Sequence, residues 1–348
     1  MRVLHLLPSD RYSGAENVVC QIMSFFKETQ GVEMLYCSPN GPIRSALEER
    51  DIPFSPLNEF SVQTVKAKLR EVQPDIVHAH DMKASVVAAM ASGNIPLISH
   101  VHNNNFNSRG ISAKALLYYA AAKKSSHIFW VSKSSFEGYC FHKSFQQKST
   151  VLYNIIDANA LRQKAKMDGG NYHYDIVYLG RLTPQKNPQR LMIVLRMIAQ
   201  ANPDVSVAVV GTGDLDSEVR ALAKEYGLEG NIDFLGFQSN PYKLLQDAKL
   251  MIMTSRWEGT PMCALEAMAL GVPIVSTPTD GLCELVDNGV TGYLSDEDGK
   301  IVQGCLRIMN DSQMRASMSQ ATLAKAALIM DIETYKKAIM TAYTEALK

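Results

Sequence analysis

A doubly wound α/β protein with two domains is the fold class that this sequence predicts, and three observations predict it. Short apolar β-like runs alternate with amphipathic helical stretches along the chain, which is the pattern of parallel sheets covered on both faces. The runs are almost continuously apolar, as strands buried on both sides must be. The alternation lapses once, over residues 157–174, and then begins again. That lapse divides the 348 residues into two stretches of ordinary domain size.

In the first stretch the strands read as Val3–Leu7, Glu33–Cys37, Asp75–His78, Pro96–His102, His127–Val131 and Thr150–Tyr153. Helical periodicity fills the gaps, as in Glu16–Lys27, Val65–Val72, Ala84–Ala91, Ala113–Ala122 and Ser134–Tyr139. Residues 161–174, which include Asp168-Gly169-Gly170-Asn171, read as a linker. The second stretch gives strands at Asp175–Leu179, Val205–Val210, Ile232–Leu235, Leu250–Met253, Ile274–Ser276 and Tyr293–Leu294. Helices are expected at Pro188–Ala199, Leu215–Tyr226 and Met262–Leu270, with a short one near Tyr242–Gln246. From Ile301 to Lys348 the pattern is wholly helical. The expected organisation is a Rossmann-like domain over 1–160, the linker at 161–174, and a second Rossmann-like domain over 175–331. In such domains ligand loops gather at the carboxyl ends of the strands, so a ligand cleft is expected between the two.

Composition excludes several classes. With 46% hydrophobic and 20% charged residues the chain is globular rather than disordered or fibrous. The six cysteines are scattered with no C-x-x-C pair, which points away from a disulfide framework and toward a reducing, cytoplasmic setting. The N-terminal apolar run is too short for a signal peptide, and no run approaches bilayer length. The formal net charge is zero, but residues 1–165 carry 18 Lys/Arg against 13 Asp/Glu. Residues 109–148 are strongly basic. Such a surface suits an anionic partner, or it is simply a solvated basic face.

Four constellations can carry chemistry. The first, Ser255 to Gly271, follows an apolar strand and opens a helix. Pro261 suits the first helical turn, with Thr260 as its cap, and the N–H groups of Met262 and Cys263 are then left for an anion. Glu258 and Glu266 bracket that anion site. The second, Gly180-Arg181-Leu182-Thr183-Pro184-Gln185-Lys186, places a guanidinium and an ammonium in one loop after a strand, and the pair suits a diphosphate. The third, Pro8 to Glu16, puts Gly14 where backbone can approach a phosphate at a helix start. The fourth is Ser99-His100-Val101-His102-Asn103-Asn104-Asn105, in which His102 ends a strand. His78 and His80 should be its neighbours, and a satisfied core histidine is the competing view, above all for His78. Val210-Gly211-Thr212-Gly213 lacks the third glycine of a dinucleotide fingerprint. There is no P-loop and no cluster with metal-ligand spacing.

Together these segments resemble the family 4 (group 1) retaining glycosyltransferases of the GT-B fold, most closely in Gly180–Pro188 and in Glu258–Gly292, including Leu270-Gly271-Val272-Pro273 and Asp280-Gly281-Leu282-Cys283-Glu284. The resemblance implies two Rossmann-like domains facing each other across a cleft, with the terminal helix 332–348 packing back onto the first. It implies transfer of a hexosyl or N-acetylhexosaminyl unit from a nucleotide diphosphosugar, with a uridine one expected, to a saccharide or lipid-linked saccharide in cell-surface polysaccharide synthesis. Glu258 would contact the donor sugar and His102 the anomeric region, as the catalytic pair. Glu266 would bind the ribose, Arg181 and Lys186 the diphosphate with help from Gly14, and Gly236-Phe237 the base. Gly211, Gly259, Thr260, Met262, Cys263 and Leu265 would complete the donor site. No cofactor and no metal are implied, because the leaving diphosphate takes the acceptor's proton and the two cations stabilise its charge. Many relatives have two adjacent glycines in the first loop, where this chain has Gly14-Ala15. The basic segment 109–148, with Leu116, Leu117, Tyr118 and Tyr119 near Lys114, Lys123 and Lys124, is a candidate for peripheral contact with an anionic inner membrane face. No recognised nucleic-acid module surrounds it. A nucleotide-sugar epimerase of the same fold and a two-domain sugar-binding protein are the alternatives. The first would need no acceptor.

Overall fold

Two six-stranded parallel sheets carry the chain. A computed structural model describes residues 1–102 and 109–348. Asn103, Asn104 and Asn105 of the fourth constellation lie outside the described residues. The chain divides into two units, Met1–Ile155 joined by Asp331–Lys348, and Ile156–Met330.

The first unit runs β1 (Arg2–Leu6), α1 (Gly14–Phe26), β2 (Glu33–Cys37), α2 (Ile43–Glu48), α3 (Val62–Val72), β3 (Ile76–His80) and α4 (Asp81–Ala91). It continues through β4 (Leu97–Val101), α5 (Ala113–Lys124), β5 (His127–Trp130), α6 (Lys133–Glu137) and β6 (Ser149–Val151). The strand order is β2-β1-β3-β4-β5-β6. Side chains alternate across this sheet. Leu4, Leu6, Val77 and Ala79 join Ala84, Ala88 and Leu97 in one buried cluster, whereas His5, His78 and His80 take the alternate positions of the same strands. Both sets are buried, which is why the strands show no polar alternation. Ser61 and Ser112 cap α3 and α5 by accepting from the Thr64 and Ala115 N–H groups. A cap is worth about 1 kcal/mol and a fully buried leucine about 2 kcal/mol. The core therefore holds the sheet, and the caps mark where helices begin.

The second unit runs α7 (Ala158–Met167), β7 (Ile176–Leu179), α8 (Pro188–Ala201), β8 (Val207–Val210), α9 (Asp216–Glu225), β9 (Ile232–Gly236) and α10 (Tyr242–Asp247). It continues through β10 (Leu250–Met253), α11 (Met262–Ala269), β11 (Ile274–Ser276), α12 (Asp280–Leu285), β12 (Gly292–Leu294), α13 (Asp298–Asn310) and α14 (Ser312–Ile329). The order is β12-β11-β10-β7-β8-β9. The last helix, α15 (Ile332–Ala346), belongs to the first unit. There the Tyr343 hydroxyl meets His78 Nδ1 at 2.7 Å.

The segment expected as an irregular linker contains α7. Asp157 caps it by accepting from the Asn159 and Ala160 N–H groups, both at 2.9 Å. Only Leu161 and Ala165 are buried from this helix. One i,i+4 pair among lysines and arginines makes too narrow a stripe to show as periodicity.

Topology decides where ligands can collect. In the second sheet the chain starts at β7, moves to β8 and β9, and then returns to the other side of β7 with β10. The loops after β7 and β10 therefore leave neighbouring strands in opposite directions, which is the switch point of a doubly wound sheet. In the first sheet the switch falls between β1 and β3.

Candidate functional site

The loops at the second switch point carry the second and first constellations, and they meet. Lys186, at the end of the loop after β7, donates to Glu258 Oε1 at 2.5 Å, and the Ser255 hydroxyl donates to the same oxygen at 2.6 Å. The pair is nearly dry, with the lysine side chain 13% exposed and the glutamate 5%. Burial disfavours the Lys186 charge, but the Glu258 carboxylate together with the nearby Cys263 sulfur more than offsets it and holds the ammonium above its ordinary value. The charge of Arg181 acts on Lys186 in the opposite sense. Arg181 itself is exposed, so the two cations differ: Lys186 is built into the protein, and Arg181 is presented to solvent.

The loops are pinned to each other through backbone. Arg256 N–H donates to Gln185 C=O at 2.9 Å, and Gln185 Nε2 donates to Trp257 C=O at 3.1 Å. The Thr254 hydroxyl reaches the carbonyls of Lys186 and Asn187 at 3.2 and 3.1 Å. Thr277, after β11, donates to Ser255 C=O at 2.7 Å. Two glycines make the close approaches possible. A Cβ at Gly281 would lie 1.3 Å from Gly259 O, and one at Gly211, whose φ is +128°, would lie 2.1 Å from Gly180 O.

At α11 the helix start differs from expectation by one residue. Pro261 is the N-cap with extended backbone rather than the first helical residue, and no side chain caps the helix. Thr260 is buried in the loop before it. Met262 and Cys263 therefore occupy the first two helical positions, whose N–H groups have no intrahelical acceptor. Leu265 is fully buried, and its N–H donates to Pro261 C=O at 3.3 Å. Burial pushes the half-buried Glu266 carboxyl up to about 7, against a hydrogen bond from Tyr242 and the charge of Lys164. Gly236 ends β9 at φ +65°, bonded through its carbonyl to Gly211 N–H at 2.7 Å, and Phe237 beyond it is exposed.

In the first unit Gly14 begins α1, and the space where its Cβ would stand is open. The Ser13 hydroxyl at the N-cap turns to Glu16 Oε2, 2.5 Å away, and does not cap the helix. His102 is 6% exposed, and its N–H is bonded to Asp81 Oδ1 at 2.9 Å. Burial lowers its imidazole to about 3, so it is neutral at pH 7. His78 is buried and bonded to Tyr343, which agrees with the core reading of that residue.

The basic segment is less open than its composition implies. Lys148 donates to the carbonyls of Lys123 and Ser125, and Lys124 to that of Ala89. Tyr118 is fully buried, whereas Ile111, Leu116 and Leu117 are exposed beside exposed Lys114 and Lys123. Sequence reasoning gave no role to Ser255, Thr254, Thr277 or Tyr242. Ser255 had a local signal in its three-residue spacing to Glu258. The other three had none, because their partners are distant in sequence or backbone.

Two Rossmann-like sheets, each with loops gathered at a switch point, and a charged, dry, anion-suited site in the second unit define the GT-B class of protein. The chain belongs to the group 1, family 4 glycosyltransferases. The family model "Glycosyl transferases group 1" matches residues 162–325, and "Glycosyltransferase Family 4" matches residues 12–160. A Campylobacter jejuni N-acetylgalactosaminyltransferase acting on a diphospho-undecaprenol saccharide is 30% identical over 64% of this chain and 60% of its own length. The Escherichia coli UDP-Gal:α-D-GlcNAc-diphosphoundecaprenol α-1,3-galactosyltransferase is 24% identical over 89% of this chain and 88% of its own. An uncharacterized glycosyltransferase of Methanocaldococcus jannaschii is 27% identical, and the match spans 59% of its length. Among solved structures, Anabaena HepE in complex with UDP superposes with a TM-score of 0.84 at 24% identity, covering 98% of this chain and 99% of that one.

Proposed function

We propose that the protein transfers a hexosyl or N-acetylhexosaminyl unit from a UDP-sugar to a saccharide or lipid-linked saccharide, with retention of anomeric configuration and without a metal ion. The observation that carries this reading is the buried Lys186–Glu258 pair at the second switch point. The ammonium can keep its bond to Glu258 Oε1 and turn its remaining N–H groups to a diphosphate, and the exposed Arg181 adds a second cation. Glu258 Oε2 accepts from a donor-sugar hydroxyl. Glu266, ionised above its raised value, accepts from the ribose hydroxyls. The leaving diphosphate takes the acceptor's proton. His102, in the first unit, offers a neutral imidazole nitrogen to the sugar. The UDP in the complex of HepE and the UDP-Gal named for the E. coli relative support the uridine donor.

A panel of UDP-, GDP-, ADP- and TDP-sugars tests this directly. With a saccharide or undecaprenyl-diphosphate saccharide acceptor and excess chelator, UDP should be released from one UDP-sugar. Consumption of donor only when a divalent ion is restored contradicts the metal-free scheme, and isomerised donor without acceptor contradicts transfer.

The acceptor's lipid end gives a use for Ile111, Leu116 and Leu117 with Lys114 and Lys123, which we assign to an anionic membrane surface. Among the described residues no helix is long and apolar enough to cross a membrane. The protein should sediment with vesicles rich in anionic lipid and not with neutral ones, and Leu116→Ser with Leu117→Ser should abolish the difference. Equal sedimentation with both vesicle types would sink the assignment.

A further inference from the structure

Five imidazoles share one face of the first sheet: His5 on β1, His78 and His80 on β3, His100 on β4 and His102 just after it. All are at most 6% exposed. Strand register sets His5 beside His78 and His80 beside His100. The hydrogen bonds run diagonally to that register. His5 Nδ1 meets His80 Nε2 at 2.9 Å, and His80 Nδ1 meets His102 Nε2 at 2.8 Å. The ring planes in these pairs differ by only 23° and 25°, and the centroids are 5.2 and 5.1 Å apart. Each separation is the N···N distance plus two ring radii, so the rings meet edge to edge, as hydrogen bonds along ring lone pairs require. Face-to-face contacts lie elsewhere, between His100 and His102 and between His78 and His80, whose centroids are 4.3 and 4.4 Å apart.

A neutral imidazole has one donor and one acceptor nitrogen. His80 is bonded at both nitrogens, so it donates at one and accepts at the other. If its proton is on Nδ1, His102 accepts at Nε2 and carries its own proton on Nδ1, and His80 Nε2 accepts from His5 Nδ1–H. If its proton is on Nε2, all three reverse. The three rings are therefore all Nδ1–H or all Nε2–H. Burial keeps them neutral at pH 7, with His5 and His102 lowered to about 3 and His80 well below its ordinary value. The ends of the chain, His102 Nδ1 and His5 Nε2, are buried polar atoms with no hydrogen-bond partner.

We propose that His80 and His5 are positioning residues that decide, as one hydrogen-bonded unit, whether His102 presents an N–H or a lone pair at Nδ1. The consequence for transfer rests on the proposed contact of His102 with the sugar. The shared tautomer does not. A second ring behind His80 does for His102 what a carboxylate or carbonyl does for other functional histidines, fixing the tautomer through the opposite nitrogen.

Long-range proton–nitrogen correlation spectra of the full chain, labelled with ¹⁵N-histidine at pH 7.5, read the tautomers without any substrate. His5, His80 and His102 should be neutral and share one tautomer. In His80→Phe, which keeps a flat ring in place, the His102 ring nitrogens should shift while those of His142, outside the cluster, stay put. A mixed pattern among the three, or a charged ring, overturns the proposal. So does Zn(II) binding at one ion per chain with loss of the His80 signals, because the nitrogens would then be metal ligands. In a transfer assay His5→Leu should lower kcat with KM unchanged. His5→Asn, whose amide can donate or accept where Nδ1 stands, should restore it. Equal loss in both variants overturns the positioning role.

Discussion

Lys186→Ala is expected to lower kcat for sugar transfer by about 10²- to 10³-fold, the loss seen when a cationic or N–H stabiliser of a developing anion is removed. It should also destabilise the second unit by about 3–5 kcal/mol, because Glu258, 5% exposed, would be left as a buried carboxylate without its cation. The two losses are separable. Lys186→Met combined with Glu258→Gln removes both charges, keeps most of the volume, and should recover most of the stability without recovering transfer. Urea unfolding of the three proteins, with turnover on the donor that the panel identifies, measures both. Wild-type stability and turnover in Lys186→Ala would remove the site from the account.

Acid should unfold the first unit over a window set by its histidines. All five cluster imidazoles are held below their ordinary value, first of all by burial. Their unfolded-state value is about 6.5. Above that value both states are neutral and the histidines make no pH-dependent difference. As pH falls below it, the unfolded chain binds protons that the folded one does not, so stability falls with decreasing pH down to the folded values. Each histidine contributes about 1.4 kcal/mol per pH unit in that window, and the total is large beside the roughly 5–15 kcal/mol of a typical domain. Glu16, raised by burial, acts in the opposite direction but is one group against five. The chain's two tryptophans allow a clean reading, because Trp130 is buried in the first unit and Trp257 lies in the second. In a Trp257→Phe protein the Trp130 emission should report a urea midpoint that drops steeply from pH 7 to pH 5. A flat or rising midpoint contradicts the histidine account.

Much of this was legible in the sequence because the strands are apolar and the ligand loops follow them directly. Glu33–Cys37, Leu250–Met253 and Ile274–Ser276 are strands with the expected bounds, since each is a short apolar run closed by a proline, an asparagine or a polar loop. Pairing of Lys186 with Glu258 was not legible. The residues are 72 positions apart, and only the strand order, which puts β7 beside β10, brings them together. Glu266 was legible as one of two carboxylates bracketing the anion site, but the burial that raises its carboxyl, and the Tyr242 and Lys164 groups that act against that rise, are tied to it by no local pattern. The histidine chain was half visible. His78, His80 and His102 stood out, but His5 sits on a strand whose only sequence signal is apolar, and its bond to His80 crosses 75 positions. Among the helices of five or six residues, α6 and α10 were legible and α2 and α12 were not, since about one and a half turns carry too little periodicity to settle the reading.

The most direct test of the central claim, a nucleotide-diphosphate site built from Lys186, Glu258 and Glu266, is a calorimetric titration of UDP into the full chain in excess chelator between pH 6 and pH 8.5. The account predicts one site per chain without a divalent ion, strong weakening in Lys186→Ala, and affinity that rises with pH as the Glu266 carboxyl ionises near 7. In Glu266→Gln that part of the pH dependence should vanish. No binding without metal, or binding that is indifferent to both substitutions, would contradict it.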